Sequence, residues 1–294
     1  MTRTGKLVLL TSIALFVALA VAGTLTGAYY VRLRILERHM SAAMDAGDKA
    51  AVAKLARSLP CPVNARDKIG CTPLHRAARW GDLALTEWFL RKGANVNASD
   101  SMGWTPLHVA ARFGRKPVAE LLIAGGAEID AKDNDGLTPL HGAVFGGHRD
   151  LIELLIANGA DINAGAEHGW TPLITAIGCG HRDIAELFIA KGADVNAAKG
   201  DGWTPLHTAA YHRQKALAGL LLARGADINA RTRGGWTPLH SAVAGGDAEI
   251  VAFLISEGAD ITIMDAEGKT TLQSAVEGKH ADLAEVLRKA GAKE

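Results

Sequence analysis

Eleven histidines and three cysteines are the side chains of this 294-residue sequence best suited to metal binding or nucleophilic chemistry. Five histidines, His75, His108, His141, His207 and His240, close a recurring T-P-L-H tetrad, and His148, His181 and His280 form a second in-register set. Zinc bonds imidazole nitrogen at about 2.0–2.1 Å, whereas packed helices stand about 8–10 Å apart. Histidines supplied one per helix therefore do not converge on one ion, and hydrogen bonding to cap or finger backbone is their expected task. Cys179 and His181 are neighbours of the kind that can form a nucleophilic pair, but His181 holds a standard repeat position and no third orienting residue accompanies it. Cys61 and Cys71 are open to two readings: a disulfide in an oxidising compartment, or small fillers in a reducing one. A glycine-rich phosphate loop, a GxSxG elbow and an HExxH helix are all missing. Hence no catalytic, cofactor-binding or metal-binding residue is expected, and no enzymatic activity.

The elements that carry these residues follow a strict period. T-P-L-H begins at Thr72, Thr105, Thr138, Thr204 and Thr237, with T-P-L-I at Thr171 and T-T-L-Q at Thr270, every interval being 33 residues. A fixed period of this size builds a stacked solenoid in which each unit buries its apolar face against its neighbours. Thr is a good helix N-cap, and Pro fits the first helical turn, where its missing N–H is not needed. Leu follows two residues after each Thr (Leu74 to Leu272) and Ala five after (Ala77 to Ala275), which predicts close helix–helix approach at the alanines. Gly81, Gly114, Gly147, Gly180 and Gly246 are placed to stop the first helix of a unit, and Gly93 through Gly291 the second. Turn-rich segments such as A-D-I-N-A form a finger before the next Thr.

These tetrads and their spacing resemble the ankyrin-repeat family over about residues 36–294. The resemblance implies an all-α solenoid with short turn or β-hairpin fingers. The expected units are 70–102, 103–135, 136–168, 169–201, 202–234, 235–267 and a C-terminal cap at 268–294, which has lost Pro at Thr271 and His at Gln273. A degenerate first unit lies within a juxtamembrane and capping segment, 32–69. The unit at Thr204 carries Arg213 where others have the stop glycine, so a different turn is expected there.

The N-terminus is of another kind. Leu7–Val31 is a 25-residue stretch without a charge, preceded by a basic tail at 1–6 and followed by Arg32, Arg34 and Arg38. A helix of that length spans a hydrocarbon core of about 30 Å, and Tyr29 and Tyr30 suit its headgroup end. An uncleaved transmembrane anchor with the solenoid exported is the expected arrangement. The alternatives are a solenoid on the cytoplasmic face, or a secreted chain cut after the Ala20-Val21-Ala22 pattern.

The 48% hydrophobic content excludes a disordered chain, three cysteines exclude a disulfide-built scaffold, and a net charge of +1 offers no footprint for nucleic acid. Binding a protein partner is the natural use of a solenoid's concave surface. The resemblance places such contacts at finger tips and first-helix ends, which here means Arg79, Trp80, Trp104, Arg112, Phe113, Phe145, Trp170, Trp203, Tyr211, His212 and Trp236. The tryptophans serve either partner contact or packing along the fingers. The expected function is a membrane-anchored interaction scaffold; the alternatives are a secreted or translocated effector and a regulatory subunit of a separate enzyme.

Overall fold

A computed structural model describes residues 28–293. Its first helix, α1, occupies residues 28–45, and α2 spans Lys49–Ala56. Helix pairs follow in chain order: α3 (Pro73–Trp80) and α4 (Leu83–Arg91), α5 (Pro106–Arg112) and α6 (Lys116–Ala124), α7 (Pro139–Phe145) and α8 (Arg149–Ala157). Next come α9 (Pro172–Gly178) and α10 (Arg182–Ala190), α11 (Pro205–Tyr211) and α12 (Lys215–Ala223), α13 (Pro238–Gly245) and α14 (Ala248–Ser256), α15 (Thr271–Glu277) and α16 (Ala281–Lys289). First helices pack on first helices, α3 through α15, and second helices form a parallel layer.

Helices this short are marginal alone, so the stack supplies their stability. Leu74, Leu107, Leu140, Leu206 and Leu239 are fully buried between the layers. Each such leucine contributes roughly 1.5–3 kcal/mol on leaving water. The seven alanines five residues after each Thr are all at zero exposure, where a larger side chain would push neighbouring helices apart.

The T-P-L-H tetrad is a reciprocal cap. In α5, Thr105 stands extended before the helix, and its N–H donates to His108 Nδ1 at 3.1 Å while its hydroxyl accepts from the His108 N–H. In α15, Gln273 replaces the imidazole and accepts the Thr270 N–H at 2.9 Å. In α9, Ile174 can do neither, and only the Thr171 hydroxyl remains as a cap.

Two expectations need correction. Among the described residues the fingers contain no strands. Each finger closes on its own turn, as with Asp100 N–H to Trp104 O at 2.9 Å, and gives one main-chain bond to the next, as with Asn134 N–H to Met102 O at 3.0 Å. One bond per joint makes no ladder. The turn at Arg213 also does not differ: Arg213 takes φ 60°, the left-handed conformation that Gly81 takes at 71° in its own unit. An arginine is strained there, and its Nε holds the Gly245 carbonyl at 2.7 Å.

The expected transmembrane segment lies, for residues 7–27, outside the described residues. Its last four residues begin α1, which runs without a glycine or proline to residue 45. Among the described residues no helix is long and apolar enough to cross a membrane.

Candidate partner-binding surface

The histidine ladder sits beneath the surface. His75, His108, His141 and His207 each take the cap N–H at Nδ1 and direct Nε2 to the carbonyl 29 residues on, at 2.9, 3.0, 3.1 and 3.0 Å. A ring that accepts at Nδ1 is neutral and donates from Nε2, so each one ties its helix to the next finger. Burial holds these imidazoles below the ordinary histidine range, His207 at about 4. His240 keeps the cap bond, and its ring meets the Lys269 carbonyl 29 residues on more loosely than the others meet theirs. No cluster suited to a metal ion occurs among the described residues.

Above the ladder, an aspartate five residues before the Thr orders four of the seven fingers. The Oδ1 of Asp100 accepts from Met102 and Trp104 N–H at 2.9 and 3.0 Å, and that of Asp133 from Asp135 and Leu137 N–H at 3.0 and 2.8 Å. Asp67 and Asp265 do the same in the units at Thr72 and Thr270. Three adjoining fingers lack the carboxylate, carrying Ala166, Lys199 and Thr232 in its place, and the Thr232 hydroxyl accepts the Trp236 N–H at 3.0 Å. Sequence reasoning missed this row, although its spacing was as regular as that of the histidines.

The expected contact residues fall into separate groups. Trp104, Arg112 and Phe145 surround a cleft of about 260 Å³, floored by His108 and Leu137. Phe145 and Leu137 also border a second cleft, of about 470 Å³, whose far wall is Trp170 and His168. Phe145 and Trp170 are 41% and 39% exposed, so both present ring surface to solvent. Trp104 is anchored, its Nε1 donating to Asp133 Oδ2 at 3.0 Å. Trp170 is instead covered on one face by Lys199, whose Nζ lies 3.0 Å from the ring centroid. That burial lowers the Lys199 ammonium to about 8, and Lys199 was not foreseen as part of the surface.

Outside the clefts, Arg79 stacks its guanidinium on exposed Phe113, 5.0 Å from the centroid. Trp80 packs half-buried against the core. Trp203, Tyr211, His212 and Trp236 form an aromatic group with centroids 5.3–6.3 Å apart, and Trp203 Nε1 donates to Thr208 Oγ1 at 2.9 Å. Cys61 and Cys71 are free thiols. Cys71 faces Asp100 Oδ2 at 3.6 Å, and burial, with the carboxylates beside it, pushes its thiol to about 12.

Repeated caps, stacked helix pairs and ordered fingers define an ankyrin solenoid. The family model described as Ankyrin repeats (3 copies) matches residues 39–133, 121–199, 140–232 and 220–294, and the chain belongs to that family. No curated protein matches it in sequence. Among solved structures, the crystal structure of the human ASB11 ankyrin repeat domain is similar, with a TM-score of 0.66 at 26% identity, covering 76% of this chain and 100% of that one.

Proposed function

We propose that this chain is a membrane-anchored scaffold that holds a protein partner across the two adjoining clefts between Trp104 and Trp170. The carrying observation is that Phe145 and Leu137 border both clefts, so one continuous apolar trough runs between two finger tips. Arg112 lies at one side of it, and exposed aromatics and arginine are the residues that dominate protein interfaces. The buried His108 and Asp133 of the trough are already engaged in cap and finger hydrogen bonds, which favours binding over catalysis as its use.

The anchor reading rests on the uncharged run Leu7–Val31 and on the unbroken helix that continues from it. Export of the solenoid is the preferred orientation, and cleavage after Ala22 is the alternative that the small-residue pattern favours. A photo-crosslinker in place of Phe145 in the full-length protein should capture a discrete partner, and the double variant Arg112→Ala, Trp170→Ala should lose it while staying folded, with a melting temperature lowered by no more than the lost Lys199 contact accounts for. An unchanged crosslink in that variant would remove the trough from consideration. A C-terminal reporter active on one side of the membrane, with the intact mass of the mature protein, decides orientation and cleavage.

A further inference from the structure

Leu59 is 73% exposed, more than any other large apolar side chain among the described residues. It stands in the loop after α2, and with Pro60, Cys61 and Val63 it faces Ala28, Tyr29 and Arg32 of α1 across a cleft of about 500 Å³ that Lys92 also borders. Tyr29, Tyr30, Val31 and Ile35 are exposed by about half or more on the same end of the molecule. The other exposed apolar residues that share a cleft are Phe145 and Trp170, in the trough described above.

What covers this patch follows from where the chain goes. α1 enters the described structure at residue 28 as the final part of the Leu7–Val31 run. A loop packed beside Ala28 and Tyr29 therefore sits at the level where that run ends. The charges match this level. Arg32, Arg34 and Arg38 are exposed along the next part of α1. From Val31 to Arg38 is about 10 Å along a helix, close to the thickness of the layer between hydrocarbon and bulk water, about 5–8 Å per side. Further along, Arg34, Glu37, Arg38 and Asp45 line a polar cleft with Arg66, and Ile35 is the last large apolar residue exposed on α1. Apolar and tyrosine side chains at one depth with cations just above are the pattern of an interfacial contact.

We infer that the Leu59 loop is a second membrane contact, seated in the headgroup layer of an anionic bilayer beside the anchor and flanked by Arg32 and Lys92. This rests on the anchor reading given above. A single helix leaves a domain free to swivel; a second contact at Leu59 fixes the face that the solenoid turns to the membrane.

The test uses the full chain in vesicles of phosphatidylcholine and phosphatidylglycerol. p-Benzoylphenylalanine is placed singly at Leu15, Leu59 and Met264, and the photoproducts are identified by mass. Lipid adducts at 15 and 59 but not at 264 are expected. The yield at 59, but not at 15, should fall several-fold with Arg32→Glu or when phosphatidylglycerol is omitted. Lipid adducts at 15 with none at 59 would overturn the second contact and leave the anchor standing. An adduct from 59 to residues 7–27, or to a second copy of the chain, would overturn it equally and name the true occupant. No lipid adduct at either position would overturn anchor and contact together.

Discussion

The fingers before Thr105 and Thr138 and those before Thr171 and Thr204 share one main-chain turn but are held differently. In the first two, a carboxylate collects two finger N–H groups, and Asp133 also fixes the preceding tryptophan. In the other two, Ala166 offers nothing and Lys199 turns its side chain onto Trp170. The finger at Ala166 responds with a short 3-10 turn, Glu167–Gly169, in which His168 takes φ 58°. Its tryptophan is more open to solvent than Trp104. The difference teaches that the residue five before Thr decides how its own turn and the preceding finger's tryptophan are held, so the trough joins a wall fixed by Asp133 at Trp104 to one covered by Lys199 at Trp170.

The largest expected effect is at the rigid wall. Asp133→Ala removes three hydrogen bonds at a buried site. At about 1 kcal/mol each it should destabilise by about 3 kcal/mol in urea unfolding and leave Trp104 more quenchable. A loss no larger than that of Ala166→Gly would break the distinction between the two kinds of finger.

The next concerns the ladder beneath both walls. The His207 pKa of about 4 lies below the ordinary value, so the unfolded chain binds more protons than the folded one in the window between. Stability is intact above about pH 6.5, falls as pH drops toward 4 and then levels. From pH 7 to 5, His207 alone accounts for a loss of about 2 kcal/mol. His207→Gln, with the amide capping as Gln273 does, should flatten that slope in a pH series of melting curves.

The reverse substitution sharpens the comparison. Ala166→Asp supplies the missing acceptor to the 168 and 170 N–H groups and should stabilise by about 1 kcal/mol, with His168 leaving the left-handed region in nuclear magnetic resonance couplings. Partner capture at Phe145 should weaken as the wall stiffens. The smallest effect belongs to Lys199→Ala. Losing one cation–π contact should cost about 0.5–1 kcal/mol and shift Trp170 emission to the red.

Much of this was legible before any coordinates. Period, caps, stop glycines and the alanine ladder all express local backbone chemistry, so residue identity alone carries them. The backbone task of the histidines was legible for the same reason. The finger aspartates were equally periodic but went unread, because a carboxylate in a turn resembles ordinary turn composition until its acceptor geometry is seen. Which tryptophan packs and which is presented was not legible. Trp104 and Trp170 occupy the same repeat position, and their difference arises from Asp133 and Lys199, 29 residues downstream in each case. The Arg213 turn misled because residue type suggested a departure that the tertiary frame overrides.

His240 has a consequence for how the protein is lost rather than how it works. Every other imidazole of the ladder ties its helix firmly to the following finger, and this one meets the Lys269 carbonyl only loosely. The joint between α13 and the unit of α15 is therefore looser than those at His75, His108, His141 and His207, while the unit of Ile174 has no imidazole link at all. Local opening starts where a unit is least attached, so α15 and α16 should open early and expose a handle for proteases. The lifetime of the fold is then set at the unit of α15 and α16, far from the proposed trough.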